Sequence, residues 1–123
     1  MSEQINKQKT YICTIEIGTK DLTTNVECDY DIVKAVIQNF VNELGECVKI
    51  TPVEFIYTNG SEKGLSIQFI QYPRFPREES QILKRSMLLA NSLMGTLNQQ
   101  RCSIISPTYT YLLENPMYNK RQS

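Results

Sequence analysis

The sequence predicts a small two-layer α+β domain, an antiparallel sheet in the order β-β-α-β-β-α-β with two amphipathic helices on one face. Three observations lead there. Two stretches repeat apolar residues at spacings of three and four, the pattern of a helix that buries one stripe. The segments around them alternate apolar and polar residues, the pattern of half-buried strands. The length, 123 residues, suits one domain that buries a core without staples.

Residues 1–9 are a polar lead-in, and the domain is expected to span 10–114, with a loose polar tail over 115–123. Over 11–18, Tyr11, Cys13, Ile15 and Ile17 alternate with Ile12, Thr14 and Glu16, which reads as a strand. Residues 19–21 are a turn, and 22–28 a second strand with Leu22, Thr24, Val26 and Cys28 on one side. Asp29 or Asp31 caps the first helix, whose stripe is Ile32, Val33, Val36, Ile37, Phe40, Val41 and Leu44. Gly45 follows where a left-handed cap favours glycine.

Residues 47–57 are rich in β-formers but contain Pro52, so that strand is bent, split or at a sheet edge. Asn59-Gly60 marks a hairpin turn, and the segment from Leu65 to Ile70 alternates as another strand. After the proline-broken segment 72–77, Pro76 fits the first turn of a second helix that runs to about Gln99. Its stripe is Ile82, Leu83, Ser86, Leu89, Ala90, Leu93, Met94 and Leu97, and Gly95 inside it points to a close packing contact. Residues 102–113 read as a last strand. The sheet face away from the helices is expected to carry Ile12, Val53, Ile70 and Tyr109 or Tyr111, an apolar surface suited to a second copy.

Composition narrows the function. Lys plus Arg equals Asp plus Glu at 13 each, which argues against nucleic acid as a partner, because phosphate capture needs a cationic surplus. Zero net charge also removes a barrier to self-association, and a homo-oligomer is expected. No stretch approaches the ~20 apolar residues of a membrane span. The polar start lacks the apolar core of an export signal, and Cys13, Cys28, Cys47 and Cys102 form no C-x-x-C pair. Reduced thiols in a cytoplasmic protein are the simplest reading.

The chain has no histidine, so the commonest general base and metal ligand is absent. The cysteines are too dispersed for a zinc site, no phosphate-binding glycine loop or nucleophile elbow occurs, and no cofactor is expected. The candidate ligand-binding segment is 72–77. It sets Arg74 and Arg77 beside Tyr72 and Phe75, just before a helix start. Guanidinium forks and free helix amides bind anions, and aromatic rings stack on bases. The competing structural reading makes the same segment a shaped connection with solvated arginines. Residues 98–101 are expected to cap the second helix.

These observations lead to the expectation of a non-enzymatic, oligomeric binding protein. It would hold a small anionic, nucleotide-like ligand, as a viral or mobile-element product that sequesters a nucleotide signal would. The alternatives are a self-assembling or protein-interaction domain, and a histidine-free enzyme acting on a nucleotide or phosphodiester.

Overall fold

The computed structural model describes residues 4–117. The described residues form β1 (Ile12–Gly18), α1 (Tyr30–Leu44), β2 (Val48–Tyr57), β3 (Gly60–Ile70), α2 (Glu79–Thr96), β4 (Arg101–Ile105) and β5 (Thr110–Glu114). The sheet order is β2-β3-β1-β4-β5, with each neighbouring pair antiparallel. β1 and β2 both run against β3, so they are parallel with β3 between them. The first six elements are thus a split β-α-β arrangement, to which β5 adds an edge.

The two-layer α+β class holds, but two segments differ from the expected order. Residues 22–28 are not a strand. The Asp21 carboxylate accepts the amides of Thr23 and Thr24 at 2.8 and 3.1 Å, and Asn25 turns left-handed at φ 63°. These local bonds outcompete a ladder, leaving one bridge between Lys20 and Glu27. The alternating Leu22 and Val26 are exposed, at 43% and 63%. Residues 102–113, expected as one strand, fold as a β4–β5 hairpin. Ser106 donates its amide and hydroxyl to the Tyr109 carbonyl, with Pro107 in the turn.

Both helix stripes enter one core. Val33 and Ile37 of α1 join Ile82, Leu89, Ala90, Leu93 and Met94 of α2 over Cys13, Ile15, Ile17, Ile67, Phe69, Cys102 and Ile104 of the sheet. Phe40 meets Phe69 edge-on at 6.3 Å. Asp29 caps α1 by accepting from the Asp31 amide at 2.9 Å, and Gly45 ends it at φ 67°. Helix α2 begins at Glu79 rather than Pro76, because the Gln71 side chain pins both the amide and the carbonyl of Arg77 in a loop. Gly95 is not a packing contact: a Cβ there would meet nothing within 4 Å. Pro52 sits on the edge strand β2.

Direct cross-strand partners share a sheet face. Ile12 with Ile70, Thr14 with Gln68 and Glu16 with Ser66 therefore lie away from the helices. Ser66 donates to Glu16 at 3.2 Å and Gln68 to Thr14 at 3.5 Å, so this face has apolar margins and a polar middle. Ile12, Val53 and Ile70 lie on it as expected. Tyr111 instead pairs with the buried Ile104 and packs on the helix side, and Tyr109 lies in the hairpin turn. Asn115, expected in a loose tail, is 5% exposed and donates to the Gln99 carbonyl at 3.0 Å. Residues 118–123 lie outside the described residues.

Candidate active-site cleft

Pairing between β1 and β3 ends at Gly18 opposite Gly64, whereas β2 and β3 stay paired to Tyr57 opposite Gly60. The excess length forms a two-stranded arm beyond the sheet. Its glycines let it stay flat under its own aromatic rings. A Cβ on Gly64 would lie 2.3 Å from Phe55 Cε2, and one on Gly60 2.6 Å from Tyr57 Cε2.

On the helix side, the arm overhangs a cleft of about 700 Å³. Its walls are apolar: Cys28, Val33, Pro52 and Leu65, with the Tyr30 ring beside them. Glu54 and Lys63 are direct cross-strand partners two residues beyond the Pro52–Leu65 pair, so both point to the cleft side. Glu27 reaches the cleft from the return limb of segment 19–29, where the Thr19 hydroxyl donates to its carboxylate at 2.5 Å. The site therefore combines an apolar interior with a few convergent polar groups, the usual make-up of a small-molecule site.

The local charge is negative. Glu27 and Glu54 line the cleft against one lining cation, Lys63, and Asp29 and Asp31 stand at the nearby start of α1. The Cys28 thiol registers this field. Burial first, then the neighbouring Asp29, Asp21 and Glu27 carboxylates, push its pKa up. A cleft of this sign favours a cationic group over an anionic one. Among the described residues, no cluster of His, Cys, Asp or Glu could hold a metal ion. Nor is any helix among them long and apolar enough to cross a membrane.

Segment 72–77 lies elsewhere, near the C-terminus of α1. Arg77 donates to the Gly45 carbonyl at 2.8 Å and lies 3.5 Å from the Glu46 carboxylate. Arg85 donates to the Leu44 carbonyl at 3.1 Å and pairs with Glu46. Together they close the orphan carbonyls and the negative end of α1. The Tyr72 and Phe75 rings meet at 5.8 Å, Tyr72 accepts from Cys47 at 3.7 Å, and Arg74 is exposed. The structure thus brings Tyr72 and Phe75 together and turns Arg77 toward α1. None of the four lines the cleft.

The cleft residues Glu27, Tyr30, Glu54 and Lys63 were not singled out from sequence. They come from separate elements, and the only local signal was the placement of Glu54 and Lys63 on either side of the Asn59-Gly60 turn. Asn98 and Gln99 do more than cap α2. Asn98 donates to Asp21 and Thr23 at 2.9 and 2.6 Å, and Gln99 to the Lys20 carbonyl.

No family model matches the chain, and no curated protein does. Solved structures do. One is a phage SAM lyase in complex with S-methyl-5'-thioadenosine, at TM-score 0.66 and 11% identity, covering 93% of this chain and 96% of that one. Another is a phage SAM lyase in its apo state, at TM-score 0.60 and 16% identity, covering 86% and 90%. This chain has the fold of those lyases. The likeness is one of fold, and it extends over nearly the full length of both chains. It corrects the expectation of a non-enzymatic binding protein, because the solved proteins that share this fold are lyases.

Proposed function

We propose that this protein is an enzyme, a lyase that cleaves a sulfonium nucleoside of the S-adenosylmethionine type. The observation that carries the reading is the end-to-end fold match to a phage SAM lyase holding S-methyl-5'-thioadenosine. That compound is what remains of S-adenosylmethionine when the bond from sulfur to the amino-acid side chain breaks and sulfur keeps the electron pair. The carbon left behind is satisfied within the same molecule by its own carboxylate oxygen, which forms a C–O bond as the C–S bond breaks, so that no proton is transferred.

The chemistry fits a chain without histidine. A sulfonium leaves as a neutral thioether, so its departure needs neither protonation nor a Lewis acid. Positive charge on sulfur disappears along the reaction. An apolar wall such as Val33, Pro52 and Leu65 therefore favours the transition state over the charged ground state. Glu27 and Glu54 at the rim attract the cationic substrate, and the Tyr30 ring offers a flat apolar surface to the adenine. The proposed substrate carries a nucleoside, but its reacting centre is a cation, in place of the anionic, nucleotide-like ligand expected from sequence.

The reading includes a homo-oligomer in a phage-encoded, cytoplasmic setting. All four cysteines are free thiols, which agrees with a reducing compartment. The arm exposes Ile56 at 80% and Tyr57 at 55%, and Val26 and Ile32 across the cleft are exposed at 63% and 54%. A two-stranded arm is marginal in water without a cover, and a second copy supplies one. Sedimentation at rising concentration tests this, and a monomer throughout would contradict it.

Substrate charge provides the test of function. S-adenosylmethionine should be bound and cleaved, whereas S-adenosylhomocysteine, its uncharged thioether analogue, should bind more weakly and stay intact. Equal binding of the two would remove the role given to Glu27 and Glu54.

A further inference from the structure

We infer that Asn98 and Gln99, at the α2–β4 junction, are positioning residues that latch segment 19–29 in place as one wall of the cleft. Among the described residues, the segment meets the core through Cys28, and its two limbs bond chiefly to each other. It lacks a strand ladder beyond the single Lys20–Glu27 bridge, and its apolar side chains Leu22 and Val26 face solvent. At its root the Thr19 amide bonds the Lys63 carbonyl at 3.2 Å. Its outgoing limb, residues 20–23, is tied to the junction.

The ties are specific. Asn98 Nδ2 reaches both Asp21 Oδ1 and Thr23 Oγ1, while the Asn98 carbonyl accepts the Leu22 amide at 3.4 Å. Gln99 Nε2 donates to the Lys20 carbonyl. Both amide side chains belong to residues that are nearly buried, 8% and 5% exposed, and they are aimed at the segment rather than at water. Asn98 is left-handed at φ 50°, which lets its carbonyl and its side chain face the segment together. Asn115 braces the junction from behind by donating to the Gln99 carbonyl. The return limb carries Glu27 and Cys28 into the cleft. It hangs on the latched outgoing limb through the Asp21 amide, which donates to the Val26 carbonyl at 2.9 Å, and on the root through the Cys28 amide, which donates to the Thr19 carbonyl at 2.9 Å. Losing the latch should leave the core intact and let that limb open locally.

Cys28 reports on this directly, because it lines the cleft, whereas Cys13 and Cys102 are buried in the core. In a Cys47→Ser background, Asn98→Gly and Gln99→Ala should each raise the iodoacetamide reaction rate of Cys28 by about tenfold. Cys13 and Cys102 should stay unreacted, which separates local opening from unfolding. Asn98→Gly keeps the left-handed backbone available, so it removes the amide without straining the turn.

The kinetic part rests on the proposed lyase reading. KM for S-adenosylmethionine should rise about tenfold in each variant, with kcat changed far less. Unchanged Cys28 reactivity in both variants overturns the latch, whatever the activity. Raised reactivity with an unchanged KM overturns the positioning role. A wild-type protein that does not cleave S-adenosylmethionine refutes the lyase reading, and Cys28 reactivity then decides the latch on its own.

Discussion

Two glycines in this fold should respond to the same substitution with opposite sign. Gly95 lies inside α2, and a Cβ there meets nothing within 4 Å. Gly95→Ala therefore removes backbone freedom from the unfolded chain without steric cost, a gain of about 1 kcal/mol. For a domain of this size that raises Tm by roughly 3–5 °C. At Gly64 the added Cβ lies 2.3 Å from Phe55 Cε2 and 2.5 Å from the Ile17 carbonyl. The ring can swing away, but the carbonyl is held in the β1–β3 sheet, so the strands must part. A cost of about 1–3 kcal/mol follows, which lowers Tm by roughly 3–12 °C. Thermal denaturation followed by circular dichroism reads both. Phe55→Ala separates the two clashes: in that background Gly64→Ala should still destabilise, by the share owed to the backbone. A neutral Gly64→Ala would mean that the arm and β1 do not approach as described. A destabilising Gly95→Ala would mean that α2 has a packing partner there.

Alkaline pH should weaken the fold. Burial raises the Cys102 thiol from 9.0 to about 11, and burial raises the Cys13 thiol too. A raised folded-state value contributes stability that is fully present below the unfolded value and lost as pH climbs. Tm should thus hold below about pH 9 and fall between 9 and 11, with Cys102 contributing roughly 3 kcal/mol. Cys102→Val should flatten part of that slope, and an unchanged slope would contradict it. Glu46→Ala should cost about 1–3 kcal/mol in urea titration, because it strands Arg85, whose side chain is only 18% exposed, beside Arg77. A neutral result would mean that the arginines are satisfied by the α1 carbonyls alone. Glu54→Gln and Glu27→Gln should each raise KM for S-adenosylmethionine about tenfold with kcat little changed. Unaltered KM values would move the substrate out of this cleft.

The helices were legible because their signals are local. The α1 stripe, the Asp29 cap and the left-handed Gly45 are all set by nearest neighbours, and Pro52 correctly marked an edge strand. Segment 22–28 misled because its alternation is real, while the Asp21 turn that defeats it depends on one side chain. Residues 102–113 hid a hairpin because Ser106 and Pro107 form the turn without a glycine. The cleft was illegible for a different reason. Glu27, Tyr30, Glu54 and Lys63 are brought together only when the end of β1, the start of α1 and the β2–β3 arm meet. Arg74 and Arg77 had the composition of an anion site, yet no sequence pattern shows that Gly45 and Glu46 approach Arg77 from another element. Asn98 and Gln99 looked like helix-end residues, and their reach to Asp21, Thr23 and Lys20 is wholly tertiary.

The central claim is best tested by incubating the purified protein with a large excess of S-adenosylmethionine and following products by liquid chromatography and mass spectrometry. The account predicts S-methyl-5'-thioadenosine accumulating over many turnovers without added metal or cofactor, and more slowly at low substrate with Glu54→Gln. Intact S-adenosylmethionine after prolonged incubation, with thioadenosine no higher than in a protein-free control, would contradict it.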